Sequence, residues 1–247
     1  MTIWLMNGAG NDFAVVDARN INIDMSNMAK ELCEKHQCDG FMALDNSDIA
    51  DIKLHFYNRD GSRADMCGNG ARCICRFAYD NGIVSEKMTV ETDAGIVEGE
   101  RISESVYRIG LNTPKDITLD KELGVDYVTV GVPHAVIACD KLDWGDSKKL
   151  FDLARALRIR LDANVNFYAK INENTVRVMT YERGVEDFTL ACGTGSGAVA
   201  TILFERGIVE KNEVIIQNKG GDLRLSLASN GALYLAGRAD VDDVIKL

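Results

Sequence analysis

The sequence predicts an α/β (α+β) chain of two pseudo-symmetric lobes, and three observations carry that expectation. The stretch Met66-Cys67-Gly68-Asn69-Gly70-Ala71-Arg72 returns as Ala191-Cys192-Gly193-Thr194-Gly195-Ser196-Gly197. In both copies a cysteine meets a glycine-spaced turn and then an amphipathic run with helical spacing, Ala71 to Asp80 and Ala198 to Arg206. The register also holds beyond the motif: Cys67 and Cys192 stand 125 positions apart, as do Gly82-Ile83-Val84 and Gly207-Ile208-Val209, which close the two helices. A duplicated unit of strand, cysteine, helix and strand follows, giving two related lobes that face each other across a cleft.

Taken in order, Ile3 to Met6 and Phe13 to Asp17 read as strands around the turn Asn7-Gly8-Ala9-Gly10-Asn11, whose glycines permit positive φ. Met25 to His36 has helical spacing, with Ser26 as its N-cap. Ile52 to Tyr57 alternates as a strand, and Asn58-Arg59-Asp60-Gly61 turns the chain toward the first cysteine helix. Asn81-Gly82 stops that helix, and strands follow near Met88 to Thr92, Gly95 to Glu98 and Ser105 to Leu111. At Asn112-Thr113-Pro114 the strand pattern lapses until Tyr127 to Val130, which places a domain boundary there. Gly131-Val132-Pro133-His134 leads into the apolar run Ala135 to Cys139. Leu150 to Leu157 then reads as a helix, and Asn164 to Ala169 and Thr175 to Tyr181 as strands before the second cysteine helix.

The chain has 247 residues, enough to bury a core without staples, and carries 38 acidic against 28 basic side chains with no basic run. Nucleic acid and anionic membrane are therefore excluded as partners. No signal-peptide pattern and no apolar stretch of spanning length is present, and the reading is a soluble, cytoplasmic protein. Seven cysteines, odd in number and irregular in spacing, fit free thiols in a reducing compartment. Cys33, His36 and Cys38 lie close together, as do Cys67, Cys73 and Cys75, but no Cys-x-x-Cys pair occurs and no metal is expected. Cys33, Cys73, Cys75 and Cys139 read as small apolar packing residues.

Cys67 and Cys192 are different, because each sits at the start of a helix. Unpaired backbone N–H groups and the positive end of the macrodipole favour an anion there and lower a thiol pKa. A thiolate on one face of a carbon and a thiol on the other suit inversion of a centre that bears a hydrogen. The N–H groups of Gly68-Asn69-Gly70 and Gly193-Thr194-Gly195 can hold an α-carboxylate and stabilise the charge it gathers as the proton leaves. Three competing readings are weaker. Gly193-x-Gly195-x-Gly197 lacks the full dinucleotide pattern. A hydrolase pair of Cys192 with His134 leaves Cys67 unused. A non-catalytic binding module needs neither thiol.

Asn7-Gly8-Ala9-Gly10-Asn11-Asp12-Phe13, Asn58-x-Asp60-Gly61-Ser62, Met66 to Cys73, Asn164-Val165-Asn166-Phe167, Tyr181-Glu182-Arg183-Gly184 and Ala191 to Gly195, in this order over nearly the whole chain, resemble the diaminopimelate epimerase family. The resemblance implies two α/β lobes, each a set of strands wrapped on a central helix, with the active site in the cleft between them. The lobes would be 1–112 with 237–247, carrying Cys67, and 113–236, carrying Cys192, the last strand returning to the first lobe. It implies an amino-acid epimerase of the lysine and peptidoglycan precursor pathway, a homodimer that uses neither pyridoxal phosphate nor metal. Carried over by position, Cys67 and Cys192 are the acid/base pair, and Gly68, Asn69, Gly193 and Thr194 hold the α-carboxylate. Asn11, Asn58, Asn164, Glu182 and Arg183 contact substrate, and His134 and Glu182 lie by the thiols. Three positions depart from the family pattern: Asn7 stands where His is usual, Val132 where Asn is usual, and Phe41-Met42-Ala43 where an acidic residue precedes Gly or Gln. They leave the reaction type intact and open the alternative of a racemase for another free amino acid such as histidine.

Overall fold

In the computed structural model, residues 1–120, 124–209 and 213–246 are described. Their contacts divide the chain into one unit of Met1–Gly110 with Ala236–Leu247 and a second unit of Leu111–Leu235. The first holds β1 (Thr2–Gly8), β2 (Asn11–Asp17), α1 (Met25–His36), β3 (Gly40–Asp45), β4 (Ile52–Asn58), β5 (Arg63–Ala64), α2 (Gly68–Asp80), β6 (Lys87–Thr92), β7 (Gly95–Arg101) and β8 (Val106–Leu111). The second holds β9 (Lys115–Thr118), β10 (Val125–Val130), β11 (Val132–Ala138), α3 (Ser147–Leu161), β12 (Asn164–Asn172), β13 (Thr175–Glu182), β14 (Asp187–Phe188), α4 (Gly193–Glu205), β15 (Val214–Asn218), β16 (Gly221–Leu227) and β17 (Leu233–Arg238). The unit boundaries fall inside β8 and β17, and β18 (Asp240–Lys246) belongs to the first unit.

Strand pairing repeats the same plan. In the first unit β1 runs antiparallel to β2, β2 parallel to β3, β3 antiparallel to β4, and β4 parallel to β6. In the second, β10 runs antiparallel to β11, β11 parallel to β12, β12 antiparallel to β13, and β13 parallel to β15. Even the outer partner corresponds: β18 lies antiparallel on β1, and β9 antiparallel on β10. The C-terminal strand thus lies on the leading strand of the first unit, with Leu247 outside the described residues.

Each unit wraps its strands around one helix. Strands β1, β2, β3, β6 and β7 touch α2, and β10 to β13, β15 and β16 touch α4. Enclosure explains the composition of α4, where Ala198, Val199, Ala200, Ile202, Leu203 and Phe204 are all buried. It is apolar around its whole circumference rather than amphipathic, as a helix without a solvent face must be. The two helices start and stop alike. Cys67 (φ −129°, ψ 122°) and Cys192 (φ −119°, ψ 115°) are extended N-cap residues, and Gly82 and Gly207 close the ends at φ 67° and 65°. Positive φ at both stops is the reason for glycine there.

The structure corrects several local expectations. Both cysteine helices begin at once, at Gly68 and Gly193, and the glycines form their first turn instead of a turn before it. Asp24, not Ser26, caps α1, accepting from the Asn27 N–H, while Ser26 Oγ donates to Gly61 O at 2.8 Å. Strand β9 occupies the supposed lapse after Pro114; all four residues are exposed, so no buried face marks it. Strand β3 carries no strand signal in the sequence, because five of its six residues are buried and nothing alternates. Strands β15 and β16 likewise lie beyond the elements that the sequence predicts.

Candidate active site

In the first unit the turn between β1 and β2 is built to touch the head of α2. Ala9 and Gly10 take positive φ, and Asn7 closes the turn by accepting from Gly10 N (3.1 Å) and donating to Asp12 (2.7 Å). Gly8 passes so near the helix that a β-carbon there would lie 2.8 Å from Asn69 O. Half-buried Cys67 is followed by a buried Asn69 whose side chain bonds through both its nitrogen and its oxygen. Asn69 Nδ2 donates to Asn11 Oδ1 at 2.7 Å, and Asn69 Oδ1 accepts from Arg72 Nη2 at 2.9 Å. Asn11 Nδ2 then donates to Asp39 Oδ2 at 3.2 Å, which also takes the Asp12 N–H. This relay runs Arg72, Asn69, Asn11, Asp39, and each link fixes the direction of the next amide.

Arg72 is fully buried, and its guanidinium meets neutral acceptors: Gly68 O (3.3 Å), Asn69 Oδ1 and Arg238 O (3.4 Å). Burial lowers its pKa from the ordinary arginine value, yet arginine remains charged at any working pH. Cys73 and Cys75 in the same helix are pushed up to about 12 by burial and stay neutral. Buried Cys33 and Cys38 hydrogen-bond to one another in the α1 cluster. Asn58 lies apart from the relay, exposed, with Nδ2 bonded to Ser62 Oγ (3.0 Å). Phe41, Met42 and Ala43 are core residues of β3.

In the second unit Cys192 is buried, and its Sγ accepts from Gly195 N (3.4 Å) and lies 3.5 Å from Thr194 Oγ1. Glu182, the last residue of β13, hydrogen-bonds with Cys192 and accepts from Thr189 Oγ1. Desolvation raises its pKa, and these two bonds offset part of that rise. A carboxylate bonded to a thiol is a group that can take its proton. Arg183, the next residue, is exposed and pairs with Asp162 (3.0 Å), while its N–H donates to buried Asn164 Oδ1 (2.8 Å). Val132 is exposed at the start of β11, directly after Gly131 (φ 69°).

His134 is fully buried, with its pKa lowered to about 3 by desolvation. Its Nδ1 meets Asn166 Nδ2 at 3.1 Å, and its Nε2 has no hydrogen-bond partner among the described residues. Register shows what the duplication changed here. Phe13 pairs with Gly40 as His134 pairs with Asn164, and Met42 pairs with Phe56 as Asn166 pairs with Thr180. A β-carbon at Gly70 would meet Met42 Sδ (3.0 Å) and Phe13 Cζ (3.7 Å); at Gly195 it would meet Asn166 Oδ1 (2.5 Å) and Thr180 Oγ1 (2.9 Å). The floor under the first turn is thus apolar in one unit and a polar network in the other. Arg72, Asp39, Asn166, Thr180 and Thr189 are site neighbours that sequence reasoning does not single out. Arg72 carries a signal, since it stands in the repeat where the second copy has Gly197.

A profile of the family described as Diaminopimelate epimerase matches residues 3–110 and 126–241. The chain belongs to that family. A diaminopimelate epimerase of Aquifex aeolicus (strain VF5) is 36% identical over 250 residues, covering 90% of this chain and 88% of its own. One from Campylobacter jejuni subsp. jejuni serotype O:2 is 37% identical over 236 residues, covering 93% and 92%. Among solved structures, a predicted epimerase from Pseudomonas aeruginosa shares the fold, with a TM-score of 0.74 at 14% identity over 100% of this chain and 98% of that one.

Proposed function

We propose that the chain inverts the α-carbon of LL-diaminopimelate to the meso form by a two-base mechanism in which Cys67 and Cys192 serve opposite faces. One cysteine, as thiolate, takes the α-proton, and the electron pair of the broken C–H bond moves toward the carboxylate. The other, as thiol, gives its proton to the opposite face, and the reverse reaction exchanges the roles. The observation that carries this reading is the duplicated geometry: each cysteine is the N-cap of a helix whose first turn is Gly-Asn-Gly or Gly-Thr-Gly. The first-turn N–H groups at Gly68, Asn69, Gly193 and Thr194 have no intrahelical acceptor and are suited to the α-carboxylate. Base catalysis alone supplies about 10²–10⁴-fold, so charge stabilisation by these N–H groups carries the remainder. Glu182 supports Cys192 through their shared hydrogen bond.

For the distal end of the substrate, Asn58, Asn164 and Arg183 are the proposed contacts, with Asn11 nearer the Cys67 turn. Arg183 is engaged by Asp162, but an exposed pair is worth only about 0–1 kcal/mol, so a substrate carboxylate can replace it. The alternative suggested by Val132, a racemase of another amino acid such as histidine, is not favoured, because the relatives above bear the diaminopimelate name. The same reading assigns the lobes as 1–112 with 237–247 and 113–236, and a cytoplasmic homodimer needing no cofactor.

Turnover of LL-diaminopimelate in D₂O, with chelator present and no cofactor added, tests the mechanism. At early conversion product should carry deuterium while recovered substrate stays protiated. Equal early labelling of both would point to a single base and overturn the assignment of the two thiols.

A further inference from the structure

In the second unit the proton of buried His134 can sit on either ring nitrogen, and the surrounding network decides which. Thr180 Oγ1 lies 2.9 Å from Asn166 Oδ1 and must donate, because an amide oxygen has no proton. The amide nitrogen of Asn166 has two protons and two acceptors, Ala135 O at 2.9 Å and His134 Nδ1 at 3.1 Å. Turning the amide over would set its oxygen against the Ala135 carbonyl at that same 2.9 Å, acceptor facing acceptor. The orientation shown is the one that satisfies every partner.

We infer that Asn166 and Thr180 are positioning residues that hold His134 as its Nε2–H tautomer, so that His134 serves the site as a hydrogen-bond donor and not as a base. A neutral imidazole whose Nδ1 accepts must carry its proton on Nε2. A second proton at Nδ1 would face the Asn166 N–H, and burial with the Arg183 charge nearby opposes it further, placing the pKa at about 3. The elements packed against β11 are β10, which carries Tyr127 and Asp126, the latter held by Arg206 at 2.6 Å; β12, which carries Tyr168 and Lys170; and α4, which carries Glu205 and is capped by Cys192, itself bonded to Glu182 at the end of β13. None supplies Nδ1 with an anionic acceptor.

The buried Nε2, without a partner among the described residues, is the free end of the network. A donor with no acceptor in a dry place is costly until an anion arrives, and a thiolate or the α-carboxylate is the anion the proposed reaction offers. What the donor serves rests on that reading, whereas the tautomer does not. The first unit has no equivalent, since Phe13, Met42 and Phe56 fill the matching positions. The repeat therefore gave its second copy a donor its first lacks.

With three histidines in the chain, ¹⁵N-histidine labelling gives a countable spectrum, and a His134→Gln variant assigns the signals. We expect His134 to show a protonated Nε2 and an unprotonated Nδ1 that do not change between about pH 5 and 8, where an ordinary histidine titrates. An Nδ1–H form, or a midpoint inside that window, overturns the inference. Asn166→Asp places a carboxylate against Nδ1 and should move a proton there. The kcat should then fall about tenfold or more while KM changes less than about threefold. An unchanged tautomer in Asn166→Asp would remove Asn166 as its cause, and a moved proton with wild-type kcat would remove the donor role. The spectra need neither substrate nor turnover, so the tautomer can fail while the two-base mechanism stands, or hold while the D₂O labelling overturns that mechanism.

Discussion

Gly70 and Gly195 occupy the same place in the two repeats, yet alanine should treat them differently. At Gly70 the added methyl meets Met42 Sδ at 3.0 Å, the flexible part of a side chain that can give way. At Gly195 it meets Asn166 Oδ1 at 2.5 Å and Thr180 Oγ1 at 2.9 Å, both fixed by hydrogen bonds. Gly195→Ala should cost about 1–3 kcal/mol by urea unfolding and most of the activity, and Gly70→Ala clearly less. Glu182 offers a second comparison. Its folded pKa is raised by burial, so its stabilising contribution is complete below the unfolded value near 4.5 and is lost as pH rises through the folded value. Glu182→Gln should therefore gain melting temperature relative to wild type at pH 8, lose that gain near pH 4, and turn over poorly at both. At this scale the two cysteines are legible in the sequence because a repeated motif displays them. Arg72, Asn166 and Thr180 are not, because their meaning depends on acceptors brought by other elements, such as Arg238 O and Ala135 O.

Elements are legible where periodicity meets a stop signal and obscure where burial erases the pattern. Spacing alone places helix α1 at Met25–His36, but not its cap, since Asp24 and Ser26 are both good N-caps and only geometry chooses. Asp24→Ala should lower stability by about 1 kcal/mol in urea with kcat unchanged, while Ser26→Ala loses only its bond to Gly61. Strand β3 is hidden for the opposite reason: enclosed on both faces, it has no polar side. Arg72 belongs to this scale too, because it joins the first turn of α2 to Arg238 O at the end of β17. Replacing it with alanine strands Asn69 Oδ1 in a dry interior, at about 1–3 kcal/mol, and leaves a cavity where the buried side chain lay. A drop of about 3 kcal/mol or more in unfolding free energy is expected, with kcat/KM reduced in the folded fraction.

The duplication organises the whole molecule, and it is visible as a constant offset between the cysteine helices because both ends of each helix are punctuated by residues that cannot vary freely. The strands lack such punctuation, and their shared pairing order emerges only from the register. The largest departure from simple repetition is the outer partner of the leading hairpin: β9 precedes β10 directly, whereas β1 receives β18 from the far end of the chain. That return does more than cover an edge. Arg238 O and Ala239 O, just ahead of β18, accept from Arg72 Nε (3.4 Å) and Arg76 Nη1 (2.6 Å) of α2, and Ile245 packs on the cluster built from β1, β2 and α1. Truncation at Asp240 should therefore open β1 along its length, free the segment that holds the helix of Cys67, and lower the urea midpoint together with activity, by about tenfold or more in kcat/KM. Deleting the exposed strand β9 would uncover β10, but β10 to β13, β15 and β16 are the strands packed on α4 among the described residues, so the two losses should separate: stability falls in both, and catalysis falls chiefly in the first. A truncated chain that kept the wild-type midpoint and rate would show that β18 is not what closes the first unit.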